Sequence, residues 1–270
     1  MAEALFTVAI GFVSGVLSGL FGIGGGVITT PAIRLLLGAP AIVAVATPLP
    51  VIVPGAITGS VSYARAKVSD VRSGLMLGLA GAPFAVAGAL IAKRVGGTIV
   101  LLATAALVLV MAADMALQTF RKPRTHGELD GEADPALAPP GPDDDQPRPA
   151  GLALAGIGAT AGLYSGFLGL GGGFVLVPMM TRFLGFPMKR AIGTSLTAVA
   201  ILAVPGTITH GLLGNIDWGM ALALIIGVVP GALVGARISF GSSERFLRIG
   251  FSALLAVTAV VLGANAIGGL

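Results

Sequence analysis

Gly22-Ile23-Gly24-Gly25-Gly26 interrupts a long apolar run, and the pattern returns at Gly169-Leu170-Gly171-Gly172-Gly173, 147 positions further on. In both copies a proline, Pro31 or Pro178, follows five residues after the last glycine. Such a break is unfavourable in lipid, because backbone that leaves the helical path has N–H and C=O groups that no water satisfies. It persists where protein buries it or where it lines a polar cavity. Two uses fit: glycine that lets helix backbones approach closely, and a substrate site built from exposed helix ends.

The chain around these breaks has the composition of an integral membrane protein. Of its 270 residues 55% are hydrophobic and 10% charged, and the mean hydropathy is +0.97, more apolar surface than one soluble core of this size needs. Cysteine is absent, which removes disulfides, thiolate nucleophiles and cysteine metal sites. The formal net charge of +4 conceals an asymmetry, because seven of the twelve acidic residues fall between 121 and 150. In a membrane protein the basic excess elsewhere bears on orientation before it bears on nucleic acid, and no nucleic-acid partner is expected.

Apolar segments run over 4–21, 27–38, 41–63, 73–92 and 96–119, then again over 151–168, 174–185, 190–213, 217–239 and 246–268. A full span needs about 20 residues, so 27–38 is short. A helical hairpin with its tip inside the membrane fits, and so do two unequal helices. The N-terminal run has no basic flank and its motif recurs internally, so a cleaved signal is not expected. The stretch 121–150, rich in proline and acid, cannot repay the entropy of ordering and is expected to be a disordered, solvated linker. Three parts follow: a first membrane repeat at 1–120, the linker at 121–150 and a second membrane repeat at 151–270.

The repeat is the strongest signal. At the offset of 147, Gly11, Gly15, Ser18 and Gly19 fall on Gly158, Gly162, Ser165 and Gly166, Thr47 falls on Thr194, and Pro83 on Pro230. Pro54-Gly55-Ala56-Ile57-Thr58 matches Pro205-Gly206-Thr207-Ile208-Thr209 at 151 instead, which reads as a local four-residue excess in the second half. The glycines spaced every fourth residue lie on one helix face and suit close helix packing. If the second unit is inverted relative to the first, thirteen of the sixteen Lys and Arg residues lie on one side, and only Arg34, Lys93 and Arg94 on the other. Parallel units would divide the same residues seven against nine. The positive-inside rule therefore selects inverted repeats, with the linker cytoplasmic and both termini outside. The fold expected is an all-α polytopic membrane protein of two inverted five-segment repeats.

Inverted units with interrupted helices are the architecture of secondary transporters. The breaks would meet near the midplane, and short helices starting at Val27 and Phe174 would aim their N-termini at the shared space. Free N–H groups and the helix dipole there attract anions.

At the same residues, GIGGGVITTPAI and GLGGGFVLVPMM, followed by AVATPLP and AIGTSLT, the chain resembles the duplicated signature of the TauE/SafE sulfite exporter family. The resemblance covers nearly the whole chain outside the linker. It implies transport of sulfite, sulfonates or related small organosulfur anions across a bacterial inner membrane. One departure stands out: Thr47-Pro48 occupies the place of Thr194-Ser195, so the halves need not contribute equal ligands.

The candidate substrate-binding residues are Gly22, Gly24, Gly25, Gly26, Thr29, Thr30 and Thr47 in the first half, and Gly169, Gly171, Gly172, Gly173, Thr194 and Ser195 in the second. Hydroxyls and amides bind an oxyanion without a fixed charge, which keeps release easy. His210, in an apolar segment, is a candidate carrier of a coupling proton, weighed against a packed side chain. Arg34 and Arg182, near the ends of the short segments, are candidates for drawing anions in, weighed against snorkelling. Asp114 is expected to pair with Arg121 or Lys122, and Asp217-Trp218 to anchor a helix start at the interface.

Enzyme readings fit poorly. The clusters complete no dinucleotide-binding pattern, no lysine follows as in a phosphate loop, and the spans hold no carboxylate pair, histidine set or nucleophile with a base. Neither cofactor nor metal is expected, and a coupling proton or ion has no buried acidic residue in a clear position to carry it. An anion-selective channel and a non-transporting membrane scaffold remain as alternatives to the carrier.

Overall fold

The computed structural model describes residues 2–95, 97–120 and 151–268, which form eleven α-helices and no strand among the described residues. In the first half these are α1 (Ala2–Phe21), α2 (Gly26–Leu36), α3 (Ala41–Ala46), α4 (Pro48–Arg65), α5 (Val71–Val95) and α6 (Gly97–Phe120). The second half contains α7 (Gly151–Leu168), α8 (Gly173–Phe183), α9 (Met188–Leu212), α10 (Trp218–Gly241) and α11 (Glu244–Gly268). Six stretches, in α1, α3 with α4, α5, α7, α9 and α10, are long and apolar enough to cross a membrane. The chain is an all-helical, multi-pass membrane protein. The segment 121–150, expected to be a linker, lies outside the described residues.

The short helices begin one residue earlier than expected, at Gly26 and Gly173. The third segments of the two halves differ: 188–212 is one helix, whereas 41–65 is divided at Thr47. Pro48 has no N–H to donate back into the preceding turn, and Ser195 at the matching place does. The four-residue excess expected in the second half is not an insertion. The divided segment and α9 end at Arg65 and Leu212, and the next helices start at Val71 and Trp218, all at the offset of 147. The Pro-Gly pair has moved one helical turn along α9, and a shift of four residues nearly preserves its face.

The halves pack by exchanging helices. A β-carbon on Gly11, Gly15 or Gly19 of α1 would strike the backbone at Leu224, Val228 or Ala232 of α10, in that order, so these helices run parallel at backbone contact. Gly158, Gly162 and Gly166 of α7 meet Leu77, Gly81 and Ala85 of α5 in the same manner. Lipid tails are as apolar as leucine, so this close fit, rather than a hydrophobic drive, is what holds such helices together.

Equivalent helices of the two halves meet antiparallel. Ser60 of α4 shares a 2.7 Å hydrogen bond with Thr197 of α9, and Gly206, further along α9, lies against Leu49 near the start of α4. Ser252 Oγ of α11 donates to the Ala112 carbonyl of α6 at 3.4 Å, and Gly263 faces Ala105.

The start of α9 has no side-chain cap of its own, since Pro187 precedes it. Glu244, at the start of α11, supplies one: its carboxylate accepts from the Met188 N–H at 2.8 Å and the Lys189 N–H at 3.3 Å. A carboxylate at a helix N-terminus satisfies orphan donors and complements the dipole. Glu244→Ala is expected to lower stability by about 1 kcal/mol, seen as a lower thermal midpoint of detergent-solubilised protein, with Glu244→Gln losing less.

Candidate functional site

The two glycine clusters are the turns of two helical hairpins. Gly22, Gly24 and Gly25 have φ of 73°, 77° and 86°, and Gly169, Gly171 and Gly172 have 68°, 80° and 75°, a left-handed region that other residues enter only with strain. Gly25 and Gly172 are the N-caps of α2 and α8. Each cap carbonyl accepts two N–H groups, those of Ile28 and Thr29 at 3.0 Å and those of Val175 and Leu176 at 3.1 Å. The N–H groups of Gly26, Val27, Gly173 and Phe174, in the first positions of these helices, have no partner within them. The first hairpin folds α2 back along α1: Ser14 Oγ lies 3.2 Å from Thr29 Oγ1, and Ile10 and Ile33 share one buried cluster.

The elbows touch. A β-carbon on Gly26 would lie 3.0 Å from the Leu170 carbonyl oxygen, and one on Gly173 would strike the backbone of Gly22 and Ile23. Ile52 of α4 and Val199 of α9, again 147 apart, both face Gly24 and Gly171, from 2.6 to 3.4 Å of where their β-carbons would stand. Ile23, Leu170, Ile52 and Val199 are fully or almost fully buried. In this conformation apolar side chains fill the space between the elbows.

The hydroxyls divide into three groups. Thr29 and Ser14 both donate to the Gly25 carbonyl, at 2.6 and 3.0 Å, and steady the cap. Ser195 ties the first elbow to α9 by donating to the carbonyls of Gly22 and Ile192, both at 2.8 Å. Thr30 is buried with no hydrogen-bond partner.

Thr47 and Thr194 do not touch the elbow glycines through their hydroxyls. Thr194 Oγ1 accepts the Asp70 N–H at 3.0 Å, and Thr47 Oγ1 accepts the Asp217 N–H at 3.2 Å. Asp70 and Asp217 are themselves 147 apart, so these are equivalent ties across the two halves. Because α4 and α9 run antiparallel, the ties lie toward opposite ends of the bundle, separated by about 20 Å at 1.5 Å of rise per residue.

The tie at Asp70 is the stronger. Its carboxylate accepts from Ser73 N at 2.9 Å, Ser73 Oγ at 2.8 Å and Arg190 at 3.2 Å, whereas Asp217 caps α10 through Met220 N at 2.9 Å. Burial pushes the Asp70 carboxyl up, but the Ser73 and Arg190 contacts outweigh it and hold the group below the usual carboxylate range. A depressed carboxylate stabilises the fold fully above its unfolded pKa and stops doing so as pH falls through the folded value. The melting difference between wild type and Asp70→Asn is therefore expected to be constant at neutral pH and to shrink below about pH 4.

His210 is buried at the end of α9, with Nδ1 3.3 Å from Asn215 Nδ2. Arg34 is exposed and donates to the Ala39 carbonyl at 3.0 Å. Arg182 forms an ion pair with Asp114 of α6. The partners expected for Asp114, Arg121 and Lys122, lie outside the described residues; the contact across helices from Arg182 has no signature in the sequence. Trp218 is exposed at the first turn of α10, as an interfacial anchor requires. Between α4, α5 and α9 an apolar groove of about 500 Å³, with Ser60 and Thr197 among its lining, opens on the outer surface and away from the elbow glycines.

Two residues absent from the sequence-based site also belong to the elbows. Ser18 and Ser165 are buried beside Gly25 and Gly172, and neither hydroxyl has a hydrogen-bond partner. Their recurrence at 147 was visible, but a serine in the last turn of an apolar helix carries no other mark.

The family model described as sulfite exporter TauE/SafE matches residues 7–262. The chain is 26% identical over 241 residues to the probable membrane transporter protein YunE of Bacillus subtilis, covering 86% of this chain and 87% of that protein. A probable membrane transporter protein of Methanocaldococcus jannaschii is 26% identical over 265 residues, covering 93% and 91%. The probable membrane transporter protein MamO of Magnetospirillum gryphiswaldense is 29% identical over 208 residues, 66% of this chain and 32% of MamO. No solved structure matches the chain.

Proposed function

Because this chain belongs to the sulfite exporter TauE/SafE family, we propose that it is a secondary transporter of a small sulfur-containing oxyanion. The observation that carries the reading is the contact between the two elbows, where α2 and α8 begin with N–H groups that have no partner within those helices. The atoms nearest the elbow glycines are backbone, hydroxyl and apolar side-chain atoms. Donors of this kind attract an anion through dipoles and release it readily. The candidate ligands are the N–H groups at Gly24, Gly25, Gly26, Gly171, Gly172 and Gly173 with the hydroxyls of Thr30 and Ser195, whereas the Gly22 and Gly169 N–H groups already donate to the Ser18 and Ser165 carbonyls at 2.7 and 2.9 Å. Thr29, Thr47 and Thr194 support the surrounding backbone.

Inverted repeats are part of this reading, and the antiparallel meeting of α4 with α9 and of α6 with α11 supports them. So does the charge bias, which favours a cytoplasmic linker with both termini outside, and the family resemblance implies a bacterial inner membrane. Transport by alternating access then separates Ile52 from Val199, and the two Asp–Thr ties open in turn, one for each side. Arg182 with Asp114 is a gating contact on the cytoplasmic side in this scheme, Arg34 lies at the outer side, and His210 is the candidate for a coupling proton. In this reading the solute crosses without covalent chemistry.

Flux through proteoliposomes tests the proposal. Saturable counterflow of sulfite or a sulfonate is the expected result. Conductance that never saturates would make the protein a channel, and no flux of any sulfur oxyanion would leave the elbows as packing devices in a scaffold.

A further inference from the structure

Most hydroxyls in these helices turn back on their own helix: Thr58, Ser62, Thr207, Thr209 and Thr258 each donate to the carbonyl four residues earlier, at 2.7–2.9 Å. Ser18 and Ser165 do not, although both lie in regular helix. Their residues are 0% and 1% exposed, and each lies against the N-cap glycine of its own hairpin, the Ser18 and Ser165 Cβ atoms standing 3.7 and 3.2 Å from where a β-carbon on Gly25 or Gly172 would be. A buried hydroxyl without a partner is destabilising unless something it binds repays the desolvation. The hydroxyls of Thr30, Ser69 and Ser239 are also buried without a partner, but of these five only Ser18 and Ser165 stand at equivalent places beside the two helix N-termini, where alanine would pack as well.

We propose that Ser18 and Ser165 are direct ligands of the transported oxyanion, each completing with the N–H groups of its own helix start a subsite inside one hairpin. This rests on the transport reading above and deepens it: the anion is bound in two equivalent places, divided by the Ile52 and Val199 side chains, in place of one shared site. The hydroxyl supplies a donor that rotates to meet an oxygen, and the amides supply donors that are fixed. The first hairpin is the more polar, because Ser14, Thr29 and Thr30 stand where the second has Ala161, Leu176 and Val177.

The test uses the full chain, reconstituted for sulfite counterflow and solubilised for thermal melts without anion. Losing one hydrogen bond to a charged group weakens binding by roughly 10- to 100-fold. Ser18→Ala and Ser165→Ala are each expected to raise the KM for sulfite by that factor, with the melting midpoint unchanged or higher. Ser18→Cys and Ser165→Cys, which keep the shape with a slightly larger atom and weaken the donor, are expected to follow the alanine variants. A wild-type KM in either alanine variant overturns the proposal, and so does a KM that rises only in proportion to a fall in melting midpoint, which marks a structural serine. If the wild-type protein moves no sulfite, sulfate or methanesulfonate at all, the transport reading itself fails and takes this one with it.

Discussion

Gly162→Leu is expected to abolish the folded protein. A β-carbon at this position would overlap the Gly81 carbonyl group of α5, and its neighbours Gly158 and Gly166 lie equally close to Leu77 and Ala85. The obstruction is backbone, so no rotamer change relieves it, and α5 and α7 would have to separate along their whole length. Overpacking of a core costs about 1–3 kcal/mol and occasionally more. Here the closeness of the helices is itself the source of stability, so the effect is expected at or beyond the top of that range, against a total of roughly 5–15 kcal/mol. Yield of monodisperse protein in mild detergent and its helical circular dichroism on heating are the measurements. Gly156→Ala in the same helix, where a β-carbon would meet nothing within 4 Å, should leave both unchanged or improved. Full stability in Gly162→Leu would mean that α5 and α7 are not packed at backbone contact.

Gly25→Val and Gly172→Val are expected to remove transport while much of the helical assembly survives. Both positions are left-handed caps, where a residue with a β-carbon is strained by about 1–2 kcal/mol and a branched one by more. The new atom would stand 2.9 Å from Ser14 Oγ in the first hairpin and 2.9 Å from the Ala161 carbonyl oxygen in the second. Relief requires the cap to move, and the helix N-terminus moves with it. Displacing a binding group by 1 Å lowers rates by roughly 100-fold, and sulfite flux should fall by about that factor. Gly38→Val separates strain from site: Gly38 is also left-handed, with φ 64° and open space around it. It should lose stability without a matching loss of flux per folded molecule, and unchanged flux in the two elbow variants would remove the elbows from the transport path.

Much of the fold was legible because its signals are local or periodic. The length and apolarity of each segment placed the helices to within a few residues, since a bilayer leaves the backbone little choice but a helix. The glycine ladders announced packing faces, and the doubled clusters announced helix breaks, for which a hairpin and two unequal helices both fitted until the structure showed left-handed turns there. Pro48 in place of Ser195 read in the sequence only as a difference in ligands, and the structure showed that it divides the third segment of one half and not of the other.

The candidate site was harder to read, because a hydroxyl looks the same in sequence whether it caps its own helix, ties two halves together or faces a ligand. Thr47 and Thr194 recur at the same distance after the two glycine motifs, yet their hydroxyls hold the loops at Asp217 and Asp70. Ser18 and Ser165, which the sequence marked only as a repeated pair, have no hydrogen-bond partner. The sequence by itself determined an all-helical membrane protein of two like halves, each with a glycine-built interruption, since composition and repetition act residue by residue. Only the tertiary structure decided that α1 lies on α10 and α7 on α5, that the two elbows meet across Ile52 and Val199, and which hydroxyls were left over. Those outcomes depend on which surfaces approach to backbone distance, a property of pairs of helices far apart in the chain that no single segment encodes.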